Sequence, residues 1–160
     1  MEPIDIRDLV GRPGASRRVE ADVEVAGLES EVARLEGPVH VAVLLESIVE
    51  GIYVTGPVTG RMRVACARCL KPVERGVAAQ VAELFAREHD DDVYPLGEDT
   101  IDLEPMVRDA VGLAMPFSPL CREGCAGLCE RCGGDRNLDE CSCVPRVDPR
   151  WAALSDLKLD

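Results

Sequence analysis

Eight cysteines carry most of the chemistry available to this chain. Six of them, Cys121, Cys125, Cys129, Cys132, Cys141 and Cys143, fall within the 23 residues CREGCAGLCERCGGDRNLDECSC, and the other two form the CARC turn at Cys66 and Cys69. Thiolates at this density suit Zn²⁺, a borderline-soft cation that takes four of them tetrahedrally at about 2.3 Å and puts the bond energy into folding. The count predicts two closed Cys₄ sites and two Zn²⁺ per chain. In Cys129-Glu130-Arg131-Cys132-Gly133-Gly134, two intervening residues let the backbone turn so that both sulfurs face one metal. The glycine that follows can take the positive φ such a turn demands. CARC is a turn of the same kind, with Leu70 in the place of that glycine.

Spacing alone leaves the pairing open. The favoured partition puts Cys66, Cys69, Cys121 and Cys125 on one zinc and Cys129, Cys132, Cys141 and Cys143 on the other. The second set then closes a loop of only eight residues between Cys132 and Cys141, at modest entropy cost. A zinc ribbon joining CARC to Cys129 and Cys132 is the alternative, as is a single zinc with four free thiols. A catalytic zinc keeps a water position and usually has His or carboxylate ligands. His40 and His89 lie far from the cysteines and read as strand and loop surface residues. A redox-active CxxC needs a helix N-terminus to depress its thiol pKa, whereas Lys71-Pro72 leads into a strand pattern. No GxSxG elbow, phosphate-cradling glycine loop or C₂H₂ pattern is present. The expectation is a protein that is not an enzyme and takes no small-molecule substrate.

At 160 residues and −12 net charge, the chain fits one domain with a core, and its charge argues against non-specific nucleic-acid binding. Two Zn²⁺ thiolate sites would bring the charge to about −16. Aromatic residues make up only 3%, so a Val, Leu and Ala core would benefit from metal crosslinks. Charge is uneven: residues 88–109 hold nine acids against Arg108, while Arg61, Arg63, Arg68, Lys71 and Arg75 oppose Glu74 alone. Those five bases are the candidate nucleic-acid-binding residues. The first residues do not read as a signal peptide, nothing approaches the ~20 apolar residues of a membrane span, and a cytoplasmic location is expected. In a reducing compartment such cysteines are metal ligands rather than disulfides.

The elements that must position these residues predict an α+β fold, an antiparallel sheet covered by one amphipathic helix. Residues 4–10 suggest a short strand and a helical turn, and Val19–Val25 alternates as a half-buried strand. Residues 28–36 read as irregular surface. Val39–Val49 and Ile52–Ala65 read as strands around a turn at Glu50-Gly51, with a bulge or bend at Gly56-Pro57 and Gly60. Residues 77–87 fit both helical spacing (Val77, Val81, Leu84, Phe85) and the strand period (Val73, Val77, Ala79, Val81). They are read as a strand because a hairpin partner is needed, which places CARC at the tip of a β-hairpin. The acidic stretch 88–99 reads as a mobile loop. Asp102 can cap a helix over about 103–115, whose Leu103, Met106, Val107, Ala110, Val111 and Ala114 form one apolar stripe. Within the single domain 1–160, a sheet and helix (1–116), a cysteine-rich zinc-binding segment (117–147) and a short C-terminal helix (148–160, holding Trp151 and Leu154) are expected.

GRPG near the start, CARCLKPV, IDLEPMVRDAVGLAMP, PLCREGCAGLCERCGGDRNLDECSC and DPRWAALSDL follow one another in an order that resembles the YceD family, the large ribosomal RNA subunit accumulation proteins. The resemblance runs from Ile4 to Leu157 and rests on Cys66, Arg68, Cys69, Leu70, Pro72 and the six C-terminal cysteines. It implies a bacterial or plastid-type protein needed for normal levels of large-subunit (23S-type) ribosomal RNA, and a role in ribosome biogenesis. It also implies that the second zinc site varies among members. Two contact modes follow: the basic patch on ribosomal RNA, or the acidic surface on a basic large-subunit ribosomal protein or assembly intermediate. A zinc-thiolate redox or metal sensor and a zinc-stabilised protein-interaction module are the other readings.

Overall fold

The computed structural model describes residues 2–29, 32–88, 92–138, 141–143, 148 and 150–151. Strand β1 is Ile4–Asp5, β2 Ser16–Val23, β3 Ala33–Leu35, β4 Val39–Ser47, β5 Gly51–Ala65, β6 Pro72–Ala86, β7 Tyr94–Pro95 and β8 Thr100–Ile101, and helix α1 is Glu104–Ala114. The meander β4–β5–β6 is the spine. Alternation in β4 buries Val39, Val41, Val43 and Leu45, since successive side chains of a strand point to opposite faces. Strands β5 and β6 pair antiparallel along their whole length, from Gly51↔Ala86 to Ala65↔Pro72. β2 adds to the outer edge of β4, and β3 takes over beside β5 where β4 has ended. β7 runs parallel to the end of β6, and β1 with β8 forms a separate two-stranded sheet.

Helix α1 packs against β6. Its buried Met106, Val107 and Val111, with Leu103 just before it, share one core with Val41, Val54, Met62, Val81 and Phe85. Asp102 Oδ1 accepts the Glu104 N–H at 3.0 Å, while Leu103 occupies the N-cap position itself. The predicted cap thus sits one residue further out, with Pro105 tolerated in the first turn, where its N–H is not needed. Among the described residues no helix is long and apolar enough to cross a membrane.

Three expectations need correction and a fourth is sharpened. The second strand is Ser16–Val23 rather than 19–25. Residues 33–35 are a strand, because half-buried Ala33 and Leu35 pack on the core while Arg34 points out. The interruption expected at Gly56-Pro57 falls on one side only: the register of β5 against β6 is unbroken, whereas Gly56 and Pro57 form no ladder pair with β4. There Gly56 (φ +148°) approaches β4 so closely that a Cβ would lie 2.4 Å from the Ala42 carbonyl oxygen. The acidic stretch also carries β7, ordered by the stacking of Tyr94 on Phe85 at 5.2 Å between ring centroids. The Tyr94 hydroxyl donates to Asp109 Oδ2 at 2.8 Å, tying the stretch to α1. His89 lies outside the described residues, as does most of the expected C-terminal helix; the Trp151 N–H bonds the Asp148 carbonyl at 3.0 Å.

Candidate metal centres

The β5–β6 hairpin closes at Ala65↔Pro72, which leaves residues 66–71 to form its tip. There the Leu70 N–H bonds the Cys66 carbonyl at 2.9 Å and the Cys66 N–H bonds the Lys71 carbonyl at 2.9 Å. The same pattern recurs at the other CxxC: Gly133 N–H to the Cys129 carbonyl and Cys129 N–H to the Gly134 carbonyl, both 2.8 Å. Leu70 (φ +60°) and Gly133 (φ +71°) occupy equivalent left-handed positions. Two turns of unlike sequence are therefore one structure, each aiming two sulfurs the same way.

Cys66, Cys69, Cys121 and Cys125 converge at the hairpin tip, their sulfurs all within 4.8 Å of one another. Cys66 and Cys125 are 3.8 Å apart at Sγ, and Cys69 and Cys121 3.7 Å. Four sulfurs bonded tetrahedrally at about 2.3 Å would be spaced about 3.8 Å along each edge, so the set has the dimensions of a zinc-thiolate centre. Cys129, Cys132, Cys141 and Cys143 form the second set, again within 4.8 Å. An isolated bridge between Leu128 and Asp135 draws the start of that segment together. Each set can hold a metal ion. This is the grouping that loop length favours; the ribbon pairing of CARC with Cys129 and Cys132 is not brought together.

Backbone N–H groups prepare the sulfurs for a cation. The N–H of Cys69, with those of Arg68 and Cys121, points at Cys66 and holds its thiol down at about 6 against the opposing effect of burial. The N–H groups of Cys132 and Arg131 do the same for Cys129, also about 6. Burial, reinforced by crowding from Cys125, Cys69 and Cys66, pushes Cys121 up to about 12. Contact with Cys132 and Cys129 does so for Cys143, also to about 12. Each set thus holds thiols driven in opposite directions by their neighbours, a state that a divalent cation relieves by compensating all four thiolates at once.

The residues that brace the first set were not singled out from sequence. Asn137 Nδ2 lies 3.6 Å from Cys125 Sγ, and its Oδ1 accepts from the Ala126 N–H and from Arg122, both at 2.8 Å. Lys71 Nζ sits 2.6 Å from Asp135 Oδ2 and holds that carboxyl down at about 2. Gly127 (φ +74°) passes so close to the hairpin that a Cβ would lie 3.0 Å from the Arg68 carbonyl oxygen. The available signal was Asp135-Arg136-Asn137, a turn-forming combination between two cysteines.

The five bases of the CARC region lie along this hairpin end, and four have partners within the chain. Arg68 donates to the Cys125 carbonyl at 2.8 Å, Arg75 donates to the Leu120 carbonyl, and Lys71 pairs with Asp135. Arg63 lies 2.7 Å from Glu36 and 3.6 Å from Glu74. Arg61 is exposed. Three of the five therefore fasten the cysteine segment onto the hairpin.

Residues 54–158 match the family model described as Large ribosomal RNA subunit accumulation protein YceD. A Mycobacterium tuberculosis protein is 37% identical over 165 residues, covering 96% of this chain and 80% of its own length. YlbN of Bacillus subtilis is 30% identical, covering 84% of this chain and 81% of YlbN. The Zea mays chloroplastic homologue 1 of the accumulation protein YCED is 25% identical, with 91% of this chain and 62% of the maize protein covered. No solved structure matches.

Proposed function

This chain belongs to the YceD family, and on that premise we propose that it is a non-catalytic ribosome-biogenesis factor that sustains accumulation of large-subunit ribosomal RNA. The observation that carries the proposal is the span of the family match, residues 54–158, which takes in most of β5, all of β6 and all eight cysteines. Each cysteine set supplies four thiolates, which fill the coordination of Zn²⁺ and leave no position for a reacting water. Cys66, Cys69, Cys121 and Cys125 would hold one ion and Cys129, Cys132, Cys141 and Cys143 the other. What zinc supplies there is crosslinking.

Between the two modes of action, charge favours a protein partner. Arg68, Lys71 and Arg75 are engaged within the chain, and the −12 net charge repels phosphate. Basic large-subunit ribosomal proteins are the chemical class that such a surface attracts.

Deletion of the gene should lower large-subunit ribosomal RNA relative to small-subunit RNA, and the intact chain should restore it. Equal levels of the two RNAs in the deletion strain would overturn the proposal. The mode is read separately: RNA binding that weakens steeply with salt would displace the protein-partner reading.

A further inference from the structure

Among the described residues, strand β6 has an open edge. It pairs with β5 over its full length, but on its other side only Phe85 and Ala86 meet β7. Among the described residues no other backbone hydrogen bond reaches Pro72–Leu84 from that side. Natural sheets blunt such edges with lysine, proline or a bulge. Residues 76–84, GVAAQVAEL, contain neither proline nor lysine, and their one charge is Glu83.

A groove of about 310 Å³ runs along this edge. Ala78, Ala79, Gln80 and Val81 all line it. Successive strand residues point to opposite faces, so a recess touching four in a row meets the backbone edge-on. The facing wall is α1, with Met106, Ala110 and Leu113, the last 89% exposed. The small side chains of Ala78 and Ala79 leave the backbone reachable. Two carboxylates, Glu83 and Asp109, stand in the lining, and no basic residue does.

We propose that this groove binds an extended peptide that alternates apolar and cationic residues, adding it as a strand to β6. Main-chain hydrogen bonds to the open edge supply affinity, and pockets for alternate side chains supply selection. Glu83 lies two residues from buried Val81 and so shares its face with α1. Lysine or arginine on that side would lay its aliphatic stem on Ala110 and Leu113 and reach Glu83 and Asp109. The alternate apolar residues would lie beside Ala78 and Ala82 on the other face. A second copy of the chain would bring the same carboxylates and a further −12 to the site. Residues 152–160 carry two aspartates against one lysine, which also fits poorly. The inference rests on the protein-partner reading above and names the chemistry of that partner.

The probe is a ten-residue peptide of alternating valine and lysine, with a valine–glutamate peptide as control, titrated calorimetrically into the zinc-loaded full chain. Only the lysine peptide should bind, and amide exchange should slow at those residues of 78–81 whose N–H points away from β5. N-methylation of alternate peptide residues along one edge should weaken binding roughly tenfold, while methylation along the opposite edge should leave it within about twofold. Glu83→Lys should weaken it roughly tenfold, as should Leu113→Lys. Asp109→Asn, which keeps an acceptor for Tyr94, gives a second charge variant if either fails to fold. Equal binding of both peptides, or indifference to methylation on both edges, overturns the proposal. So does slow exchange in the free chain at those amides of 78–81 that point away from β5, which would mean the chain's own residues fill the groove. If Glu83→Lys abolishes peptide binding yet restores ribosomal RNA fully in the deletion strain, the groove is not the functional surface and the family reading stands. If deletion leaves ribosomal RNA unchanged, the family reading falls while peptide binding can still be measured.

Discussion

The two cysteine clusters share their ligands and their turn but differ in what they hold together. The first joins residues far apart in sequence: Cys66 and Cys69 on the hairpin tip, Cys121 and Cys125 beyond the helix. Its Cys66 and Cys125 are buried, and it is braced by Asn137, Arg68 and the Lys71–Asp135 pair. The second is local in sequence, with Cys132 exposed and Cys141 and Cys143 half-buried. A crosslink stabilises chiefly by restricting the unfolded chain, and more so for longer loops. The first cluster should therefore be a keystone of the tertiary fold and the second an appended clasp.

The largest expected effect is a direct break of that comparison. Cys66→Ser removes a thiolate from a buried set and should lose one zinc with a large drop in thermal stability, on the order of 3–5 kcal/mol. Cys132→Ser should lose the other zinc and leave the sheet's melting transition nearly in place. Elemental analysis and thermal unfolding of both variants read this out. If each substitution empties both sites, the clusters are one cooperative unit.

Accessibility gives the next contrast. Challenge of the zinc-loaded chain with mild peroxide or a thiol-alkylating reagent should release one equivalent of zinc at least tenfold faster than the other, with Cys132 modified first. Peptide mapping after partial reaction identifies the thiol. A single kinetic phase would contradict the difference in burial, and a reversible loss of ribosomal RNA accumulation on oxidation would revive the sensor reading.

A smaller effect separates the clusters through their supports. Asn137 orders Cys125 through its amide and two further hydrogen bonds, a role for which removal typically lowers metal affinity 10–100-fold. Asn137→Ala should weaken the first site by about that factor in competition with a chromogenic chelator, and should leave the second unchanged. Equal weakening of both would mean that the segment responds as a whole.

What could be read in advance divides along physical lines. The CxxC turns, the hairpin beneath CARC and the stripe Leu103, Met106, Val107 and Val111 were legible because each is a repeated signal, whether spacing, alternation or helical period. Favouring the local set by loop length also needed only sequence. Strands β3, β7 and β8 were not legible, because two or three residues contain no period. They are ordered from outside themselves, Tyr94 by its stacking on Phe85 and Ile101 by its pairing with Ile4. The bases Arg68, Lys71 and Arg75 looked like a patch because their partners, Cys125, Asp135 and Leu120, lie 45 or more residues away in sequence.

The finest comparison lies in the turns themselves. Leu70 and Gly133 hold the same left-handed position with the same hydrogen bonds, yet only glycine adopts it without steric penalty. For an L-residue that conformation costs roughly 1–2 kcal/mol, while glycine loses more backbone entropy on folding by about 0.5–1 kcal/mol. Leu70 is 63% exposed, so its side chain returns little burial energy. Leu70→Gly should therefore be neutral to stabilising, by up to about 1 kcal/mol. At Gly133 a Cβ meets nothing within 4 Å, so Gly133→Leu would meet only the backbone penalty and should destabilise by about 1 kcal/mol. Chemical denaturation of the zinc-loaded variants measures both. Equivalent turns require that Leu70→Gly not destabilise while Gly133→Leu does, and destabilisation by both would show that Leu70 is held in place by something other than the turn.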